Sequence, residues 1–315
     1  MKIQILDDIR LSNQPLYSLW SMPSQKRLMA GGLDPFLFSI RKPGDQFEIN
    51  PVNGLETSVY CLQNSPDHKW LYLGGAKGIL QYFKLEDEKI IYSQYIGSSP
   101  IFFLEFIPQT ENLLIGSGNG ELKILKGARS LQGMESYNLG NSPSIESLKL
   151  SNEALRCIAI HPKKPILAIG GKDSLIRILN METLEIIKVL DGHSLPVFSL
   201  AFSPDGNLLI SGSRDAQIKI WDIQTFQSIH TIPAHYFAVN HLLMHPTEPY
   251  FLSASMDKTI KVWGLDDSKL YKILDLEKTK GHSASVNRLA WSDPFFRSFS
   301  SISDDRKLKN WEIEF

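Results

Sequence analysis

The sequence predicts an all-β fold, on three observations. The stretch 195–235 reads as four short strands, VFSLAF, NLLISG, IKIWDI and SIHTI. They are apolar or alternating and are separated by turn residues such as Ser203-Pro204-Asp205-Gly206, with no room for a helix. The block that opens this stretch, VFSLAFSP, recurs six more times: LYSLWSMP (16–23), VYCLQNSP (59–66), IFFLEFIP (101–108), LRCIAIHP (155–162), VNHLLMHP (239–246) and VNRLAWSD (286–293). Successive block ends lie 43, 42, 54, 42, 42 and 47 residues apart. One four-stranded unit cannot bury both of its faces, so a period near 42 with four strands per period calls for a radial stack of small sheets. Seven units make a seven-bladed β-propeller with four-stranded antiparallel blades.

In chain order, KIQIL (2–6) is a strand with no blade of its own, while the last unit runs through 286–291, 298–302 and 308–313 and stops one strand short. The two ends complement each other. The N-terminal strand is expected to pair as the outer strand of the C-terminal blade, closing the ring and covering an edge. Blade 1 covers about 16–50, blade 2 about 58–95 and blade 3 about 100–140, the last with its fourth strand near 134–139. The one large excess of length then falls within 126–152, a polar stretch that reads as a surface loop or as part of a binding face. Blade 4 covers about 154–190, blade 5 about 196–232 and blade 6 about 238–275, followed by an excursion near 276–280. Blade 7 is about 285–315 plus 2–7, so 1–315 reads as one propeller domain.

Composition narrows the function classes. With 43% hydrophobic and 21% charged residues the chain is ordinary for a soluble globular protein. A net charge of −1 gives no field to attract nucleic acid or an anionic membrane, and no run of Lys and Arg supplies one locally. Cys61 and Cys157 fall in blades that are not neighbours, so two buried thiols are expected rather than a disulfide. Asp7 and Asp8 interrupt the N-terminus before a signal sequence could form, sequons are absent, and no apolar run nears bilayer length; the cytoplasm is the expected location.

Gly192-His193 with Trp221-Asp222, Ala234-His235 with Trp263-Gly264, and Gly281-His282 with Trp311-Glu312 resemble the WD-repeat propellers, whose units run from Gly-His to Trp-Asp. Motif and period coincide in these last three blades. Blades 1 to 4 lack the tryptophan and place Phe38, Tyr82, Ile124 and Leu179 at or near its position, and blades 1 to 3 also lack the histidine.

His193, Ser211, Asp215 and Trp221 could suggest a hydrolytic triad. The set recurs as His235, Ser253, Asp257 and Trp263, and again as His282, Ser301, Asp305 and Trp311. An enzyme needs one nucleophile in one pocket, so three copies argue for architecture. The resemblance implies a hydrogen-bonded tetrad of His, Asp, Ser and indole in each of these blades. Gly116-Ser117-Gly118-Asn119-Gly120 lies between two strands with no helix after it, which makes it a hairpin turn and not a phosphate cradle. His68, His161 and His245 lack metal-site spacing, so neither a metal nor a cofactor is called for.

A second recurring position is the residue after the first apolar one of each block: Tyr17, Tyr60, Phe102, Arg156, Phe198, Asn240 and Asn287. These are expected at the rim of the central channel, with Lys172, Arg214, Met256 and Asp304, just before the tetrad aspartates or their counterparts, on the same face. Aromatics and Arg are the types enriched at interface hot spots, and aromatics also plug tapering channels. The resemblance implies that this face receives peptides and protein partners. The expected function is a non-catalytic interaction scaffold, monomeric within a larger complex. The alternative is a propeller hydrolase or lactonase with its active site in the channel, which the rim opposes by offering Tyr, Phe, Asn and one Arg in place of gathered acids.

Overall fold

Each inter-blade seam of this chain is filled by apolar side chains from the two sheets that flank it. Tyr250, Leu252 and Val262 of blade 6 pack with Phe299, Trp311 and Leu289 of blade 7, and Leu16 and Leu28 of blade 1 with Ile302 and Leu308 of blade 7. Burying each large side chain contributes roughly 1.5–3 kcal/mol, so the core is a ring of seams around an axis. The computed structural model describes residues 1–42, 47–128 and 144–314.

The described residues form seven four-stranded antiparallel sheets. Their innermost strands are Leu16–Met22, Val59–Asn64, Ile101–Phe106, Leu155–Ile160, Val197–Phe202, Val239–Met244 and Val286–Trp291. Each touches the next around the ring, and the first strand of blade 1 meets that of blade 7. The N-terminal strand Lys2–Arg10 pairs antiparallel with Lys307–Glu314 and completes blade 7 as its outer strand, extending four residues past the predicted end. The fold is therefore the predicted seven-bladed β-propeller, closed by its two termini.

Two readings need correction. The fourth strand of blade 3 is Ile145–Lys149, paired with Glu121–Leu125, so the extra length lies inside that blade's last hairpin. The predicted strand 134–139 lies outside the described residues. Three of the five residues IESLK are polar and exposed, which left little apolar signal to read. Strand register puts Ile40, Phe83 and Leu125, and not Phe38, Tyr82 and Ile124, at the place of Trp221; Leu179 is there as expected. The excursion after blade 6 forms a one-turn helix, Leu276–Thr279, whose first turn is capped by the Asp275 carboxylate accepting from Lys278 N at 2.7 Å.

Candidate interaction face

In blade 5, Nδ1 of His193 is 2.9 Å from the Asp215 carboxylate and Nε2 is 2.8 Å from Ser211 Oγ, which accepts from the Trp221 indole N–H at 2.8 Å. The corresponding distances are 2.8, 2.7 and 2.8 Å for His235, Ser253 and Trp263 with Asp257. They are 2.8, 2.8 and 2.8 Å for His282, Ser301 and Trp311 with Asp305. The chain of donors fixes the tautomer. The indole can only donate, so the serine hydroxyl turns its proton to Nε2 and Nδ1–H donates to the aspartate. Burial pushes each imidazole below its usual value, partly offset by the aspartate, and keeps it neutral. Each aspartate also accepts backbone N–H groups, Ser194 and Gln217 for Asp215. Every polar atom is matched, which makes the network a lock on the strand turns.

Blades 1 and 4 hold reduced versions that sequence reading missed. Ser12 and Ser151 stand where His193 stands in blade 5 and donate to Asp34 and Asp173, the counterparts of Asp215. In blade 4, Arg177 closes the set with its guanidinium 2.5 Å from Asp173. The signal was available as a serine 22 residues before an aspartate, at the same offset as His193 to Asp215.

The rim positions have a backbone cause. Each of the seven innermost strands shifts register against its neighbour at its second residue, so Tyr17, Tyr60, Phe102, Arg156, Phe198, Asn240 and Asn287 each sit in a β-bulge. A bulge re-aims a side chain, and here it does so seven times toward one face. All seven are half-buried. Tyr17 meets Tyr60 edge-on at 5.9 Å, Tyr60 stacks on Phe102 at 6.0 Å, and the Arg156 guanidinium lies 3.9 Å from the Phe102 ring centre and 5.0 Å from that of Phe198. On the other side Asn240 donates to Val286 O at 2.9 Å, and Asn287 donates to Leu16 O at 2.7 Å and to Asp304 at 2.8 Å. The rim side chains thus spend much of their capacity on one another across the seams.

Around the rim, Lys172 pairs with Glu153 at 2.8 Å, Arg214 is exposed, and Met256 is 56% exposed. Beside them stand residues that sequence reading did not single out: Tyr236 at 87% exposure, Phe237 at 59% and Leu195 at 43%. They lie in the loops that enter blades 5 and 6, held against the neighbouring turns by Arg214 N to Pro196 O at 2.8 Å and Met256 N to Ala238 O at 3.0 Å. The clue was apolar residues next to a tetrad histidine where solvated loop residues are the norm.

Deeper in, the channel departs from what the rim suggested. Glu105, His241 and Arg288 line it together with Arg156. The rim offers Tyr, Phe, Asn and one Arg, and further charge lies one layer below it. Gln63 Nε2 donates to Glu105 at 2.7 Å, and burial pushes that carboxyl up to about 7. Cys61 and Cys157 are free and buried, with burial pushing both thiols up to about 12. Among the described residues no group of three or more His, Cys, Asp and Glu is placed to hold a metal ion.

The sequence pattern described as "WD domain, G-beta repeat" matches residues 184–222 and 226–264. The chain is similar to the THO complex subunit 6 homolog of Danio rerio, 28% identical over 164 residues, covering 49% of this chain and 50% of that protein. It is also similar to guanine nucleotide-binding protein subunit beta-like protein 1 of Mus musculus, 29% identical over 145 residues, covering 45% of this chain and 41% of that protein. The matches thus span half or less of the length of these relatives.

Proposed function

We propose that this seven-bladed β-propeller, which carries WD repeats over 184–222 and 226–264, is a non-catalytic platform that binds a protein partner through the rim-side loops of blades 5 and 6. The observation that carries the reading is the exposure of Leu195, Tyr236, Phe237 and Met256 in the loops and turns of blades 5 and 6, with Arg214, also exposed, in the turn whose backbone bonds Pro196. Exposed aromatics, Met and Arg on a rigid frame have the composition of interface cores, and solvent exposure of such a group costs free energy that a partner would recover. The relatives' names agree with a role in assemblies: one is named a subunit of a complex and the other is named after a β subunit.

Channel chemistry gives little to a catalytic reading. Both thiols are held protonated, and no hydrogen bond joins His241 to Glu105 among the described residues. A nucleophile needs an adjacent base, and among the described residues that line the channel none is hydrogen-bonded to one.

The test is quantitative co-purification with the full chain. Tyr236→Ala combined with Phe237→Ala should lower recovery of the bound partner at least tenfold. Ile187→Ala, an exposed change on the outer strand of blade 4, should leave recovery unchanged. Equal recovery with all three proteins would remove blades 5 and 6 as the docking surface.

A further inference from the structure

The third residue of each innermost strand lies just below the rim, and in four blades it ties its own blade to the next. Cys61 Sγ is 3.8 Å from Ile101 O and Cys157 Sγ 3.6 Å from Val197 O; Ser199 Oγ accepts from Leu242 N at 2.9 Å and His241 Nδ1 from Leu289 N at 3.3 Å. The same position in blade 7 is Arg288. Among the described residues, no hydrogen bond or ion pair to a protein group meets its guanidinium, which faces a channel cavity of about 430 Å³. That volume falls within the roughly 300–1,000 Å³ typical of small-molecule sites.

The cavity is lined by more cationic than anionic side chains. Arg156 lines the same space, and its guanidinium contacts two aromatic faces and no carboxylate. The carboxyl lining the channel, Glu105, accepts from Gln63 and is pushed up to about 7 by burial, while the two thiols stay neutral. His241 is held neutral by burial and by Arg288, and because its Nδ1 accepts a backbone N–H, its proton must sit on Nε2 as a further donor. Two cations and a donor therefore share one protein-walled space with a single carboxyl, Glu105, which Gln63 engages. A guanidinium with no protein partner is free to take a ligand, and the group that best satisfies its five donors is a planar or tetrahedral oxyanion taken in a two-pronged grip.

We propose that the central channel is a binding site for a small oxyanion, a carboxylate or a phosphate, gripped by Arg288 and flanked by Arg156 and the Nε2–H of His241. The site does not depend on the docking surface of blades 5 and 6, and either can fail without the other.

Thermal melts of the full chain at fixed ionic strength test it, with inorganic phosphate and succinate as probes and chloride as the control. Phosphate or succinate should give a saturable rise in Tm on the order of 2–5 °C, with none from chloride. Whichever probe acts at the lower concentration identifies the anion class. Arg288→Gln should abolish the rise, and should melt no lower than the parent protein without anion because it removes an unpaired charge. Where Arg288→Gln fails to fold, Arg288→Lys decides, since it keeps the charge but loses the grip and should weaken the response about tenfold. A flat response to both probes, an undiminished rise in Arg288→Gln, or unchanged affinity in Arg288→Lys would overturn the assignment.

Discussion

Asp8, on the first strand of the chain, accepts a hydrogen bond from Lys309 on the last at 2.8 Å, and that lysine side chain is only 3% exposed. Lys309 also donates to Lys280 O at 2.8 Å, and Lys307 reaches the same Asp8 carboxylate at 3.0 Å. Burial works to raise the Asp8 carboxyl, and the two ammonium groups outweigh it and hold it low. Around this knot Ile3 and Ile313 enter the seam between blades 6 and 7.

Removal of residues 1–8 should lower Tm substantially, because it strips the outer strand from blade 7 and leaves Lys309 without its carboxylate. The exposed pair Lys2–Glu314, at 3.4 Å, gives the contrast: Lys2→Ala should change stability by less than about 0.5 kcal/mol. Differential scanning calorimetry of both proteins checks this, and an unchanged melt after the deletion would rule out the clasp.

His193→Ala should cost about 1–3 kcal/mol in urea unfolding, since Asp215 and Ser211 are left without their shared partner in a buried site. His235→Ala and His282→Ala should behave alike because the geometry repeats. A loss confined to one of the three would mean that the networks are not equivalent.

Acid should weaken the fold before base does. The folded state holds the tetrad histidines below the usual imidazole value, so the unfolded chain takes up protons first as pH falls through about 6.5. Stability from the neutral rings is therefore complete above about pH 6.5 and declines below it; the lowered Asp215, Asp257 and Asp305 add a further loss below about pH 4. Glu105 runs the other way, since its raised value favours the folded state at low pH. Tm should be level from pH 7 to 8 and fall between pH 6.5 and 4.5, more steeply in Glu105→Gln. A level profile down to pH 5 in both would contradict the assignment of neutral rings.

Glu88 holds the seam between blades 1 and 2. It accepts from Arg27 at 2.8 Å, Arg41 at 2.7 Å and Ser39 at 2.9 Å, and the Arg27 side chain is only 5% exposed. Glu88→Ala strands that guanidinium with Leu85 O as its remaining partner and should cost about 3 kcal/mol. A loss under about 0.5 kcal/mol would show that the pair adds nothing beyond solvation of its two ions.

The fold was legible because the apolar block repeats at a near-constant period, and even the orphan strand KIQIL pointed to its place. What escaped notice had weak local signals. Ile145–Lys149 carries little apolar pattern because it is an outer strand exposed on one side. Ile40, Phe83 and Leu125 were misplaced by one or two residues because only strand register fixes which apolar residue fills the tryptophan's site. Of the interaction face, the rim residues were found through their common offset, but the shared bulge that turns them inward is a backbone property with no residue signature. Tyr236 and Phe237 were passed over as loop, and Arg288 because its meaning comes from neighbours that lie far away in sequence.

The most direct test places two variants side by side, scoring Tm and partner recovery for each. Tyr236→Ala with Phe237→Ala is expected to keep the parent Tm and lose the partner; His193→Ala is expected to lower Tm and keep the partner at temperatures where it remains folded. Loss of binding in His193→Ala with full recovery in the loop variant would contradict the account, since the repeated network would then be the binding site and the exposed loops mere surface.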